Sequence, residues 1–162
     1  MADMTEQDWI HLRTCVDLAR EALEAGDEPF GSVLIDPAGE QRFADRNRVA
    51  GGDHTRHPEF AIARWAAENM SPQERVQSTV YTSGEHCAMC SAAHAWVGLG
   101  RIVYASSTQQ LVAWHEEWGI EPGPVSPLAI TAVAPNIPVA GPDSVLSAEV
   151  KDLHRELHRI KA

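Results

Sequence analysis

The chain has 162 residues, a length that suits one compact domain around a single core, expected to span 1–162. About 44% of the residues are apolar, and no low-complexity tract or block of like charge marks a disordered segment. The formal net charge of −10 argues against a broad surface for nucleic acid, and the apolar runs stop short of the roughly 18–20 residues a membrane span needs.

The acidic start, Met1 to Asp8, has neither the basic head nor the apolar run of a signal peptide, so a soluble cytoplasmic protein is expected. Residues 7–25 read as an amphipathic helix with Trp9, Leu12, Val16, Ala19 and Leu23 on one face, stopped by Gly26. Ser32–Asp36 reads as a strand and Asp36–Gly39 as a turn into a second strand near 41–49, which makes a hairpin. A polar loop from Gly51 to Arg56 follows. Pro58 suits the first turn of a helix running to about Met70, and Ser71-Pro72 starts the next connection.

Gln77–Thr82 reads as a strand, and a buried helix of small and apolar residues is expected from Cys87 to Val97. Arg101–Ala105 is a strong strand signal, followed by a shorter helix over 108–117 and a Pro/Gly-rich loop from Glu121 to Pro127. Leu128–Val133 is expected to be a last strand. The final helix, 144–160, carries Leu146, Val150, Leu153, Leu157 and Ile160 on one face. Strands and helices interleave after the opening hairpin, which implies an α/β fold with a mixed sheet covered by helices on both faces.

Three cysteines are too few for a disulfide framework. Cys15 falls in the first helical pattern and reads as a small buried hydrophobe. Cys87 and Cys90 form a C-x-x-C pair at the start of a helix, where both sulfurs can reach one ion and the helix N-terminus favours thiolate. His57 precedes a second helix start. His57, Cys87 and Cys90 together supply three ligands, which leaves open the fourth tetrahedral position that a catalytic zinc needs. Glu59 stands two residues beyond His57, able to face that position without being a ligand.

A metal acidifies a water to a pKa of roughly 7, and a carboxylate beside it can take that proton and pass it to a ring nitrogen and a departing amine. Alone, a C-x-x-C pair also serves structural zinc or redox chemistry, and H-x-E occurs by chance. The H-x-E followed by C-x-x-C is the signature of zinc deaminases, and a redox reading would leave His57-Pro58-Glu59 without a role.

At these residues the chain resembles the cytidine deaminase-like superfamily, and within it the guanine, fungal-type cytosine and tRNA adenosine deaminases. The resemblance runs from Pro29-Phe30-Gly31 through Asn47 and the zinc motif to Arg101-Ile-Val-Tyr104. It implies a three-layer α/β/α sandwich with a five-stranded sheet, a homodimer or larger assembly, Zn2+ on His57, Cys87 and Cys90, and Glu59 as proton shuttle. By the same resemblance Asn47 would hydrogen-bond the substrate ring, with a strand-closing turn residue as the plainer alternative. Phe30 would line the pocket or simply fill core.

Two departures stand out. Pro58 replaces a family Ala or Gly and lacks the N–H that could donate to a substrate. His86 replaces the family Pro before the first cysteine, as an outer partner of the metal site, a pocket residue or a surface substitution. The segment Ala113–Trp118 resembles the stretch after the last catalytic strand of guanine deaminases, which makes Trp114, His115, Glu116 and Trp118 pocket candidates or an ordinary packed helix. Gln110 offers an amide where those enzymes read guanine with an acid. The expected activity is deamination of a free base or heterocycle of isoguanine, cytosine, 5-azacytosine, aminotriazine or guanine type. The alternatives are tRNA adenosine deamination and a non-catalytic zinc-stabilised module.

Overall fold

Thr5 and Asp8 cap each other's backbone N–H groups and so start the first helix, α1, Glu6–Glu24. The computed structural model describes residues 3–161. Met1, Ala2 and Ala162, parts of the expected domain, lie outside the described residues. Leu12, Cys15, Val16 and Ala19 of α1 are fully buried, as their spacing predicts, whereas Trp9 remains 38% exposed.

Strands β1 (Gly31–Ile35) and β2 (Gln41–Arg46) form the expected antiparallel hairpin. Pro58 opens helix α2, Pro58–Asn69. A short helix, α3 (Pro72–Val76), occupies what reads in the sequence as plain connection; Ser71 and Glu74 cap it reciprocally, a signal already present in the S-x-x-E spacing. Strand β3 (Thr79–Gly84), helix α4 (Ala88–Trp96), strand β4 (Ile102–Ser106) and helix α5 (Thr108–Glu117) follow.

Leu128–Val133 is not a strand. Its second half forms helix α6, Ile130–Val133, and the last strand, β5, is the two-residue Val139–Ala140. Ile130 is buried with Ile102 and Tyr104, so an apolar run that mimics a strand serves here as a plug under the sheet. Helix α7, Ser144–Lys161, closes the described chain with Leu146, Val150, Leu153 and Leu157 buried; Ile160 is 64% exposed, because the last turn runs beyond the sheet it packs on.

The sheet order is β2-β1-β3-β4-β5, antiparallel across β1 and parallel from β3 to β5. Alternation along the strands splits the core in two. Val33, Ile35, Tyr81, Val103 and Ala105 meet α1 and α7, while Leu34 and Val80 meet Ile62, Ala66 and Met70 from α2. Helices α1 and α7 thus cover one face and α2 and α4 the other, the expected three-layer sandwich with a mixed five-stranded sheet. Gly31 permits the close seat of α1, since a Cβ there would collide with Leu18 and the Cys15 backbone. No helix among the described residues is long and apolar enough to cross a membrane.

One ion pair, buried on its Asp8 side and partly exposed at Arg101, fastens α1 to the sheet. Asp8 accepts from both Arg101 Nη atoms at 2.9 and 2.8 Å and from the Tyr81 hydroxyl at 2.7 Å. Burial works to raise the Asp8 carboxyl, but the Arg101, Thr5 and Tyr81 hydrogen bonds overcome it and hold the group well below the ordinary carboxylate range. A depressed folded-state pKa contributes stability above the unfolded value near 4 and loses it as pH falls. Asp8→Asn is therefore expected to cost about 2–4 kcal/mol in urea unfolding at pH 7, with the difference from the parent shrinking toward pH 3. An equal deficit at both pH values would contradict this account.

Candidate active site

The loop before α2 is tied to itself. The Asp53 carboxylate accepts from the Thr55 N–H and hydroxyl at 2.9 and 2.7 Å, and the Arg48 N–H donates to the Arg56 carbonyl at 3.0 Å. His57 follows as N-cap of α2. Across from it, the Glu85 N–H donates to the Ser106 carbonyl at 2.8 Å, and the Glu85 carboxylate accepts from Thr108 and Ile130 backbone N–H groups. This fixes the turn that leads to Cys87, the N-cap of α4.

The two helix starts meet. His57 Nδ1 lies 3.6 Å from the Cys87 sulfur and 3.5 Å from that of Cys90, and one ligand atom of each residue falls within 4.8 Å of the other two. The three side chains influence one another strongly. The hydrogen bond from Cys90, then that from His57, holds the Cys87 thiol down to about 4. Cys90 is pushed up by its hydrogen bond to the Cys87 sulfur and by burial, and the Cys87 contact raises His57 to about 9. Two sulfurs and an imidazole converging with no hard oxygen ligand among them fit zinc, a donor set for which tetrahedral N/S coordination is the norm.

Glu59 occupies the first turn of α2 and is 6% exposed. Its Oε1 lies 2.9 Å from the Ser32 hydroxyl and 3.3 Å from that of Thr82, which are 2.9 Å apart. Ser32 and Thr82 are register partners across β1 and β3, facing α2. Burial, the largest influence, raises the Glu59 carboxyl; His57 and Ser32 pull it back, and Cys87 adds to the rise. Sequence reading missed this hydroxyl pair. The signal was a Ser and a Thr on the inward side of strands whose neighbours there, Leu34 and Val80, are apolar.

The remaining expected residues divide. Asn47 is 1% exposed, and its Oδ1 accepts from the Val49 N–H at 3.1 Å, so it does close the strand; its own N–H donates to the Phe30 carbonyl at 3.0 Å. Phe30 lies on Gly84, where a Cβ would approach its ring to 3.0 Å, and meets His154 edge-on at 4.9 Å. His86 is no surface substitution: it is 1% exposed, edge-to-face with His94 at 5.4 Å, with both ring nitrogens buried and unpaired. Burial, then His94, keeps it neutral.

Trp114 is buried between α1, α7 and the sheet. Gln110 caps α5 by accepting from the Ser107 N–H at 2.9 Å, and it lines a separate cleft of about 670 Å3 with Glu85 and Tyr104. Glu116 is exposed and its side chain has no hydrogen bond or ion pair among the described residues. His115 and Trp118 stand with His158 of α7, at ring distances of 5.3 and 6.0 Å.

Residues 5–106 match the model of the cytidine and deoxycytidylate deaminase zinc-binding region. A probable cytosine deaminase of Schizosaccharomyces pombe is 31% identical over 117 residues, covering 72% of this chain and 71% of that protein. A tRNA-specific adenosine deaminase of Haemophilus influenzae is 31% identical over 104 residues, but the match spans 59% of this chain and 56% of that protein. In structure, the guanine deaminase of Nitrosomonas europaea superposes with a TM-score of 0.68 over 98% of this chain and 87% of that one; at 19% identity it shows the shared fold. By the match over residues 5–106 and the S. pombe relative, the chain belongs to the cytidine and deoxycytidylate deaminase zinc-binding family.

Proposed function

We propose that the chain is a zinc-dependent hydrolytic deaminase of a free nucleobase or related aminated heterocycle, working as one domain and as a homodimer. The observation that carries this is Glu59, a buried carboxylate set beside a three-donor cluster without belonging to it. Zinc held by His57, Cys87 and Cys90 would supply Lewis acidity that makes water nucleophilic near neutral pH.

The chain's own residues do the rest. Glu59, with its carboxyl raised by burial, takes one proton from the attacking water and gives it to the ring nitrogen, then takes the second from the hydroxyl newly formed on the ring carbon and gives it to the amine, which leaves as ammonia. The Ser32 and Thr82 hydroxyls fix the orientation of that carboxylate. Asn47 holds the ring by its side-chain amide, and Phe30 bounds one side of the pocket. Pro58, at the first position of α2, has no N–H to offer the substrate, so recognition falls to other groups.

A free base fits better than RNA. The cations of α7 are largely spent on neighbouring acids: Lys151 with Glu117, Arg155 with Asp152 and Arg159 with Glu156. The chain carries a net charge of −10. Both features oppose a phosphate backbone.

Two experiments test the reading. Zinc-loaded protein is expected to release ammonia from one member of a panel of guanine, isoguanine, cytosine, 5-azacytosine and an aminotriazine. Glu59→Gln should lower that rate by about 10³-fold or more while keeping zinc content. Activity confined to a tRNA anticodon stem-loop would shift the assignment to RNA, and full activity in Glu59→Gln would refute the mechanism. In the second, Ser32→Ala and Thr82→Val should each lower kcat about tenfold with KM and zinc content little changed, since both act through Glu59. A parent-like kcat in both would remove the hydroxyl pair from the account.

A further inference from the structure

His86 lies buried one residue before the first cysteine of the donor cluster. It is 1% exposed, and neither ring nitrogen has a hydrogen-bond partner among the described residues. It occupies the position where the family resemblance expects proline. A proline ring fixes its own φ and a histidine does not, so here the approach to Cys87 is held by contacts instead.

Those contacts come from two sides. On one, the Glu85 carboxylate accepts from the Thr108 N–H at 2.9 Å and the Ile130 N–H at 2.8 Å, which ties the turn to the starts of α5 and α6. On the other, the His86 ring meets the His94 ring edge-to-face at 5.4 Å, and the His86 carbonyl accepts from the Ser91 hydroxyl at 3.4 Å. Ser91 and His94 both belong to α4, the helix that carries Cys90. His94 lies one turn beyond Cys90 and is itself anchored, since its Nε2 donates to the Gly100 carbonyl at 2.6 Å.

We propose that His86 is a positioning residue for Cys87: its ring, set against His94, clamps the segment bearing Cys87 onto the helix bearing Cys90 and so fixes the spacing of the two sulfurs. This rests on the zinc reading above. The ring acts by shape, because its nitrogens bond to nothing while an edge-to-face ring pair has a preferred geometry. Truncating it would open a cavity beside the turn. A phenyl ring would fill the same place without burying unpaired polar atoms.

Zinc dissociation constants of the full chain, measured by competition with a chelator, test this. His86→Ala is expected to raise the constant about 10–100-fold, the usual effect of losing a group that orients a metal ligand. His86→Phe should stay within about threefold of the parent and melt at a higher temperature. Asp8→Asn, which weakens the tie between α1 and the sheet, is the destabilised control and should keep the parent constant. With cobalt in place of zinc, the thiolate-to-metal absorption should weaken in His86→Ala and return in His86→Phe. Where His86→Ala does not fold, His86→Leu fills the volume without an aromatic edge and should weaken zinc in the same direction.

A parent-like constant in the truncated variant, or a His86→Phe as weak as the truncation, would overturn the inference while leaving the deaminase reading in place. An equal loss in Asp8→Asn would overturn it too, by reducing the effect to general stability. A parent chain that binds no zinc would instead refute that reading, and this inference with it.

Discussion

Helix α2 packs against α4 so that both begin at one place, and the candidate site is built from the side chains standing there. His57 and Cys87 are the caps of these helices, and Cys90 and Glu59 sit within their first turns. Helix starts present unpaired N–H groups and a partial positive charge, which favours thiolate and carboxylate in those positions. The sheet beneath does the aligning. β3 delivers Cys87 through the turn fixed by Glu85, and the register of β1 on β3 places Ser32 and Thr82 together under Glu59. A slip of one residue in that register would turn one of the two hydroxyls to the opposite face and part the pair.

The donor cluster was legible in the sequence because its residues are chemically rare and their spacing matches helix starts. Cys87 and Cys90 at i and i+3, and the H-x-E at 57–59, need only a helix to become convergent. The main helices and the four longer strands were legible from periodicity for a similar reason: each buries one consistent face. What failed did so where length was short or the face ambiguous. Leu128–Val133 is apolar enough for a strand, yet Ile130 plugs the sheet from a single turn of helix, and two residues, Val139 and Ala140, suffice to complete β5. The Ser32–Thr82 pair escaped notice because its meaning depends on register, which no local pattern states. Gln110 takes on a role that its local pattern did not announce, since its Oε1 accepts from the Ser107 N–H and caps its own helix.

The candidate substrate contacts are scattered over the chain, which explains why substrate choice is harder to read than reaction class. Asn47 and Phe30 flank the hairpin, whereas His115 and Trp118 come from the end of the chain's fifth helix, α5, and meet α7 there. None of these shares a motif with another. They are assembled by the Asp27–Arg46 ion pair on one side and by the packing of α5 against α7 on the other.

X-ray absorption at the zinc edge of the purified protein is the most direct test of the central claim. Two sulfur neighbours at about 2.3 Å and one imidazole nitrogen at about 2.0–2.1 Å are expected, completed by a light atom, with the sulfur count dropping to one in Cys87→Ser. An all-sulfur shell, an oxygen-rich shell, or a spectrum unaltered by Cys87→Ser would contradict the site assembled by α2 and α4.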